Sequence, residues 1–271
     1  MVCFALLIST PFLALAQENP EESGAAAQND GDSQPRIIVM QEDVKKAFVS
    51  ESQKEYAKMV ANKKPPHYYK LKVKKKNTSD WLDTEQWFKD NQFSRPELDR
   101  TEGAFTYKGI PGKGHYGHEY NSIEITNNVT GQTWIYDFTS FGIHDQFQPY
   151  IHYAIARNGW LYVALAHDTY QETNPDTAFI LAVSMNSGKV IWRSNNLVCN
   201  ASNFLILDNT IVCGYGFTAE PDFVYTIDIL TGKTMGKLPI KSKAYYFIQP
   251  DEESHVIRMI TYNTDYTLTY K

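Results

Sequence analysis

The chain has 271 residues, a formal net charge of −5 and an aromatic content of 14%. This weakly acidic balance excludes the basic surface on which nucleic-acid-binding proteins depend. The length is enough for one large domain, and the 18 tyrosines favour β-strands, in which aromatic side chains are enriched.

The first residues have the features of an export signal. Residues 1–16 are apolar and end in Ala14-Leu15-Ala16, a small-residue pattern typical of a signal-peptide cleavage site, although no positive charge precedes the apolar run. We therefore predict a signal peptide over 1–16 and an extracytoplasmic protein, either secreted or periplasmic. Residues 17–36 hold almost no large apolar side chain, which predicts a disordered leader.

The next segment, residues 37–100, is predicted to be helical and mixed. Apolar residues recur at helical spacing over 43–60, which predicts a first helix. A short strand is predicted over 68–73 and a second helix over 78–90. The lysine-rich run over 70–76 predicts the solvent-exposed face of an edge strand, with contact to an anionic surface as the alternative.

Two tryptophans lie in the second predicted helix, Trp81 and Trp87, with Ser79 or Asp80 available as the N-cap. Large aromatic side chains dominate protein cores. We therefore predict that both tryptophans anchor packing, and the alternative is a pair that stacks on a ligand.

From residue 101 to residue 271 the pattern is one of short strands separated by turns rich in Gly, Asn and Asp. No helical pattern is interleaved with these strands, which excludes alternating strands and helices around a parallel sheet. The sequence therefore predicts an all-β domain over 101–271.

A short sequence motif, which we call the phrase, recurs three times in this domain. In each copy a Gly follows Thr or Ser, and a small polar residue stands four positions before the Gly. The polar side chain can accept backbone N–H bonds inside a turn, and Gly supplies the positive φ that ends it. The three pairs are Asn127 with Gly131, Ser184 with Gly188, and Asp228 with Gly232.

Two complete four-strand units, 151–193 and 204–238, each end with one copy of the phrase and the strand that follows it. They resemble the repeat of PQQ-like (quinoprotein-type) β-propellers, and the stretch from Ala182 to Trp192 matches it best. The resemblance implies a β-propeller-like stack of about four short four-stranded blades, as a complete or an incomplete ring, in which Trp192 packs between neighbouring blades. Four units and no vicinal Cys pair are too little for a quinone site, so no cofactor is predicted.

Two cysteines remain after the predicted cleavage, Cys199 and Cys213. A hairpin turn at 208–209 would place Cys213 opposite Phe204, five positions and roughly 15 Å from Cys199. We therefore predict two separate, half-buried thiols. A segment over 198–202 that folds back is the alternative that would bring them together.

A Gly-rich loop holds His115, His118 and Glu119, which are weak candidate metal ligands. Ordinary hydrogen bonding of loop histidines is the alternative. A third metal ligand would have to come from His144, Asp145, His152 or His167.

A second candidate surface is the stretch over 138–148, which is rich in aromatic residues and polar donors. It would bind a small molecule or a peptide at the end of a blade. The alternative is an inter-blade connection that packs its own phenylalanines.

No nucleophile elbow, phosphate loop or dinucleotide motif occurs in the chain. The leading hypothesis is an exported, non-enzymatic binding or scaffold protein whose partner, a protein or a small ligand, contacts loops at the blade ends. No nucleic acid and no membrane span are expected, and an oligomer is possible. The alternatives are a metal-binding protein or metal-dependent enzyme that uses His115 and His118, and a component of a larger assembly that completes an open propeller.

Overall fold

The computed structural model describes residues 36–41, 68–112, 120–142, 150–167, 172–251 and 253–271. The predicted signal peptide, almost all of the leader and the helix over 43–60 lie outside the described residues. Within the described part of the chain no helix is long and apolar enough to cross a membrane.

Strands dominate this structure and form four antiparallel blades. Blade 1 contains β3 (Arg100–Glu102), β4 (Phe105–Pro111), β5 (Tyr120–Asn127) and β6 (Thr133–Asp137), with β1 (Arg36–Ile38) added parallel to β6. Blade 2 contains β7 (Tyr150–Arg157), β8 (Trp160–Ala166), β9 (Phe179–Ser184) and β10 (Val190–Arg193). Blade 3 contains β11 (Leu205–Leu207), β12 (Thr210–Tyr215), β13 (Phe223–Asp228) and β14 (Thr234–Pro239). A 3₁₀ turn at Thr139–Phe141 follows blade 1.

Blade 4 combines one early strand with three strands from the end of the described chain. It contains β15 (Ala244–Ile248), β16 (Val256–Thr261), β17 (Thr264–Tyr270) and, as its outer strand, β2 (Leu71–Thr78). The register of β2 and β17 runs from Leu71 opposite Tyr270 to Thr78 opposite Thr264. The predicted all-β, propeller-like fold is therefore confirmed.

The division at residue 100 does not separate two structural units. Strand β1 extends blade 1, and β2 completes blade 4, so residues before 101 belong to the sheets that residues after 101 form. Strand edges expose unpaired backbone groups, and these two pairings cover the outer edges of β6 and β17.

Because the strands within each blade are antiparallel, the connections between strands lie at two opposite ends of the molecule. The tight turns between the third and fourth strands of blades 1, 2 and 3, with Gly131, Gly188 and Gly232, lie at one end, which we call the turn end. The connections between second and third strands, and those from one blade to the next, lie at the opposite end, which we call the loop end.

Apolar clusters fill the spaces between successive blades. The first joins blades 1 and 2 through residues such as Tyr136 and Leu165, and the second joins blades 2 and 3 around Trp192. The third joins blades 3 and 4 through Val212 and Phe247. Burial of apolar surface stabilises the folded chain by about 25 cal/mol per Å², so these clusters hold the stack together.

A helix, α1 (Thr84–Asn91), covers the other face of blade 4. Asp83 caps it by accepting a hydrogen bond from the Gln86 N–H at 3.0 Å. Its buried side chains Trp87 and Phe88 pack against residues of β15 and β16, namely Tyr246, Ile248 and Ile260. The helix begins later than the predicted residue 78 because β2 keeps the chain extended up to Thr78.

That later start separates the two tryptophans. Trp87 is 8% exposed and anchors packing as predicted, whereas Trp81 precedes the helix and is 68% exposed. The prediction is therefore wrong for Trp81.

The face of blade 1 that points away from blade 2 is mostly polar, although it also carries Ile110 and Ile135. It carries Thr106, Lys108, Glu124, Thr126 and Thr133, and the hydroxyls of Thr126 and Thr133 hydrogen-bond each other at 2.9 Å. Among the described residues no apolar cluster joins this face to blade 4, which differs from the three filled spaces between the other blades.

The two cysteines are unpaired, but the predicted separation and half-burial are wrong. Both Cys199 and Cys213 are fully buried, and their side chains hydrogen-bond each other. The segment over 198–202 folds back beside β12, which was the alternative.

Candidate functional site

A cleft of about 520 Å³ opens at the loop end, where the inner strands of the blades converge. We call it the axial pocket. Blade 1, together with the connection that precedes it, supplies Arg95, Glu97, Asp99 and Tyr120, blade 2 supplies Tyr150 and His152, the connection into blade 3 supplies Ser202, and blade 4 supplies Tyr246. A pocket lined by blades 1, 2 and 4 and by the connection into blade 3 exists only when the blades are correctly stacked.

Arg95 provides a positioned positive charge at the rim of the axial pocket. Its Nε donates a hydrogen bond of 2.8 Å to the Tyr246 hydroxyl, and its guanidinium lies 5.3 Å from the centre of the Tyr246 ring. Arg95 is exposed, whereas Tyr246 is buried. The charge is therefore held toward solvent while its partner is fixed in blade 4.

His152 is the histidine among the described residues that line the pocket. Its ring stacks on Tyr150 with centroids 5.1 Å apart and planes 21° apart. Burial lowers the pKa of His152 to about 3, and the nearby positive charge of Lys243 lowers it further, while a hydrogen bond with the backbone of Ala201 opposes both effects. The imidazole is therefore neutral at pH 7 and offers hydrogen bonds without a charge.

A small group of charges lies beside the pocket, around the connection from β12 to β13. Burial raises the pKa of Asp222 to about 6, since the opposing effect of Lys243 is smaller and Glu220 adds to the rise. The Tyr215 hydroxyl donates to a carboxylate oxygen of Glu220. Lys243 thus acts on both Asp222 and His152 and links this group to the axial pocket.

Exposed aromatic residues form a second feature of the loop end, which we call the aromatic patch: Trp81, Tyr262 and Tyr245. Trp81 is 68% exposed and Tyr262 is 44% exposed. The two segments are joined because the Leu82 N–H donates to the Tyr262 carbonyl oxygen at 2.7 Å. Tyr245 lies beside Tyr262 and is half-buried. Sequence reasoning missed this patch because it placed Trp81 in the core.

The repeated turns lie at the turn end, away from the axial pocket. Asn127 Oδ1 accepts from the Val129 N–H at 2.9 Å, and Asp228 Oδ1 accepts from the Leu230 N–H at 2.9 Å. Ser184 Oγ accepts a longer bond of 3.4 Å from the Ser187 N–H. The following glycines, Gly131, Gly188 and Gly232, have φ of 73°, 68° and 70°. These residues shape the scaffold and do not contact the axial pocket.

Trp192 joins blade 2 to the turn of blade 3. Its Nε1 donates to the Ile229 carbonyl oxygen at 3.0 Å, and the ring lies against Gly232. A Cβ added to Gly232 would come within 2.5 Å of the Trp192 ring, so glycine is also needed there for space.

The candidate metal ligands His115, His118 and Glu119 lie outside the described residues, as do His144 and Asp145. The flanking strands β4 and β5 end at the loop end. Of the remaining candidates, His152 lines the axial pocket, and His167 is buried beside the Thr177 hydroxyl at 3.1 Å. Within the described ranges no three His, Cys, Asp or Glu residues form a group that could hold a metal ion. Most of the surface predicted over 138–148 also lies outside the described residues, but Phe138 and Phe141 are buried.

Comparison with models of known protein families gives no match, and comparison with curated proteins gives none either. Solved structures give distant matches. A chain of the mitotic checkpoint complex is 8% identical, with a TM-score of 0.43 over 73% of this chain and 51% of that one.

Two further matches are more distant still. BamB from Moraxella catarrhalis is 11% identical, with a TM-score of 0.32 over 56% of this chain and 52% of its own. Hydrazine synthase from Kuenenia stuttgartiensis is 13% identical, with a TM-score of 0.37 over 58% and 40%. The chain spans about half the length of the first two, and the propeller assignment rests on the order and packing of its own sheets.

Proposed function

We propose that this chain is an exported, non-enzymatic scaffold of the PQQ-like repeat type that binds a protein partner at its loop end. The β-propeller-like fold is the established part of this statement. Export is supported by the sequence of residues 1–16, and the PQQ-like assignment by the repeated turn and by the position of Trp192 between blades.

The aromatic patch is the observation that carries the proposal. A tryptophan that is 68% exposed beside a tyrosine that is 44% exposed gives the loop end two large, rigid apolar surfaces. Trp and Tyr are enriched among the residues that dominate the energy of protein interfaces. Trp81 therefore has a role on the surface that packing within the chain does not supply.

The axial pocket lies next to the patch, because Tyr245 packs against the apolar cluster that contains Tyr246, and the register of β15 shifts between Ala244 and Tyr246. Tyr245 lies beside Tyr262 of the patch, and Tyr246 lines the pocket and holds Arg95. A partner seated on the patch would therefore reach the positive charge of Arg95 at the pocket rim. The combination of aromatic anchors and a rim charge is typical of specific protein interfaces.

The test is affinity capture from the native source with the tagged chain and two variants. Trp81→Ala removes the most exposed anchor, and Val129→Ser is the matched control, since Val129 is 80% exposed but lies at the turn end. A partner that binds at the loop end should lose roughly 30-fold in affinity with Trp81→Ala and be unchanged with Val129→Ser. Equal capture by all three proteins would refute the proposed surface.

Export has its own measurement. The amino terminus of the protein isolated from its native source should be Gln17 if the predicted signal peptide is removed after Ala16. An intact amino terminus together with a location inside the cell would contradict export, without affecting the test of the aromatic patch.

The metal-binding hypothesis remains the alternative, because His115 and His118 lie in the connection between two strands that end at the loop end. Elemental analysis of the purified, untagged protein decides it. A stoichiometric metal that is lost in a His115→Ala, His118→Ala variant would favour this alternative over a purely structural loop.

A further inference from the structure

Two buried thiols lie at the junction of blades 2 and 3. Cys213 is in the middle of β12, and Cys199 is in the connection that leads from blade 2 into blade 3. Both are 0% exposed and belong to the apolar cluster between these blades. Neither residue takes part in the axial pocket or the aromatic patch.

The backbones that carry the two thiols run side by side. The N–H groups of Asn200 and Ala201 both donate to the Gly214 carbonyl oxygen, at 2.9 and 3.2 Å. These bonds place the residue after Cys199 next to the residue after Cys213. A disulfide needs Cα atoms within roughly 4.4–6.8 Å of each other, which requires backbones that run this close together.

The side chains point toward each other. The Cys213 thiol donates to the carbonyl oxygen of Val198 at 3.2 Å, immediately before Cys199 in the chain. The two thiols also hydrogen-bond each other. The sulfur atoms are therefore neighbours, in contrast to the separation of five strand positions that the hairpin register alone suggested.

We propose that Cys199 and Cys213 form a disulfide when the chain folds in the presence of a disulfide oxidant. One thiolate attacks a sulfur of the oxidant, and the second cysteine then displaces the oxidant from the mixed disulfide. An S–S bond forms in the protein, both cysteines lose a proton, and the oxidant leaves as two thiols, so that two electrons pass from protein to oxidant.

Folding sets the time at which this exchange occurs. Burial raises the pKa of the Cys213 thiol, which suppresses the reactive thiolate once the apolar cluster is complete. A chain that folds without an oxidant therefore keeps two inert thiols. A chain that folds with one carries a covalent link between the inter-blade connection and β12.

The experiment uses the full chain with Cys3→Ser, so that only the two cysteines in question remain. The protein is unfolded, refolded in a glutathione buffer at the poise of the endoplasmic reticulum, quenched with acid and alkylated in denaturant. Because no Lys or Arg lies between Arg193 and Lys233, trypsin leaves both cysteines in one peptide. Additional cleavage at Asp208 separates the two cysteines unless the S–S bond joins them.

The expected result is a single unalkylated, linked species that exceeds the dialkylated peptide by more than about 10-fold. Reduction before alkylation should convert it to the dialkylated form. Full alkylation of both cysteines after refolding, or linkage only between two separate chains, would overturn the proposal.

Stability gives a second readout that does not depend on mass mapping. The bond closes a loop of about 15 residues, so the unfolding equilibrium constant of the oxidised chain should be lower by roughly 100-fold than that of the reduced chain. A variant with Cys199→Ala and Cys213→Ala should show no difference between the two buffers. An equal difference in that variant would assign the effect to the buffer and overturn the proposal.

Discussion

Trp192 Nε1 of blade 2 donates to the carbonyl oxygen of Ile229 in blade 3, and Tyr136 of blade 1 makes the matching bond to Met185 in blade 2. Ile229 and Met185 both follow the small polar residue of the repeated turn. Blades 2 and 1 thus each bind the turn of the next blade through a buried aromatic donor, with donor–acceptor distances of 3.0 and 2.9 Å.

Replacing the indole tests this inter-blade bond. Trp192→Phe keeps an aromatic ring but removes the donor and some volume, so the free energy of unfolding should fall by roughly 1–3 kcal/mol. Chemical denaturation measures the change. Trp81→Phe is the matched control and should change the same quantity by less than about 0.5 kcal/mol, since Trp81 is 68% exposed. Similar losses in the two variants would contradict the assigned role of Trp192.

Substitutions at two glycines of the repeated turn distinguish the stability lost to backbone strain from that lost to steric crowding. Gly131→Ala should cost only the strain of a positive φ, about 1 kcal/mol, because nothing lies within 4 Å of the added Cβ. Gly232→Ala has the same strain and in addition a contact of 2.5 Å with the Trp192 ring. Its loss of stability should exceed that of Gly131→Ala by roughly 1–3 kcal/mol in denaturation experiments. Equal losses would show that the ring moves aside without cost.

The neutral state of His152 makes stability depend on pH. The pKa of His152 is lowered to about 3 in the folded chain, whereas the unfolded chain titrates near the ordinary value of 6.5. The unfolded chain therefore binds more protons between these values, and the contribution of His152, which is complete above pH 6.5, is lost as the pH falls toward 3. We call this loss of stability at low pH the acid limb. In His152→Gln the free energy of unfolding, measured by denaturation from pH 7 to pH 3, should fall less steeply.

Asp222 serves as the control for that measurement because its contribution to stability changes with pH in the opposite direction. Its pKa is raised to about 6, so its contribution is complete below about pH 4 and is lost as the pH rises through 6. Asp222→Asn should therefore raise stability at pH 7 and leave the acid limb of His152 in place. An acid limb that persists unchanged in His152→Gln would contradict the assignment to His152.

Removal of β2 and α1 tests whether the early segment belongs to the propeller. A chain that starts at residue 94 keeps β3 whole but loses the strand paired with β17 and the buried Trp87 and Phe88, and its Tm should fall by roughly 10 °C or more. A chain that starts at residue 68 is the matched control, because it retains these contacts and, like the shorter chain, lacks β1. Thermal unfolding of the two chains gives the comparison, and equal Tm values would show that blade 4 is stable without β2.

Local chemistry made much of this fold predictable. The turns at Gly131, Gly188 and Gly232 follow from a polar acceptor and a residue that tolerates positive φ, and both signals lie within five residues. The alternation of short strands and turns likewise predicted an all-β domain, and the resemblance of its repeats to PQQ-like propellers implied four-stranded blades. Such features depend on neighbours in sequence, which is why a single chain reveals them.

The remaining features depend on distant partners. Strand β2 is almost entirely exposed and rich in lysine, so no apolar pattern marks it as part of blade 4. Trp81 lies outside the core because the helix starts only after Asp83. The chain that precedes the helix is held in β2, which pairs with β17. The two cysteines lie close together because hydrogen bonds to the Gly214 carbonyl oxygen fold residues 198–202 back beside β12. No local sequence pattern specifies those hydrogen bonds.

The pairing of β2 with β17 has a consequence for the newly made chain. Thr78 and Thr264 are 186 positions apart, so at roughly 5–20 residues per second the outer strand of blade 4 waits about 10–40 s for the strand that it covers. Until β17 leaves the ribosome, β2 has no strand to pair with, and blade 4 cannot assemble. Blade 4 therefore assembles only after the ribosome has made β17, long after its outer strand has been made.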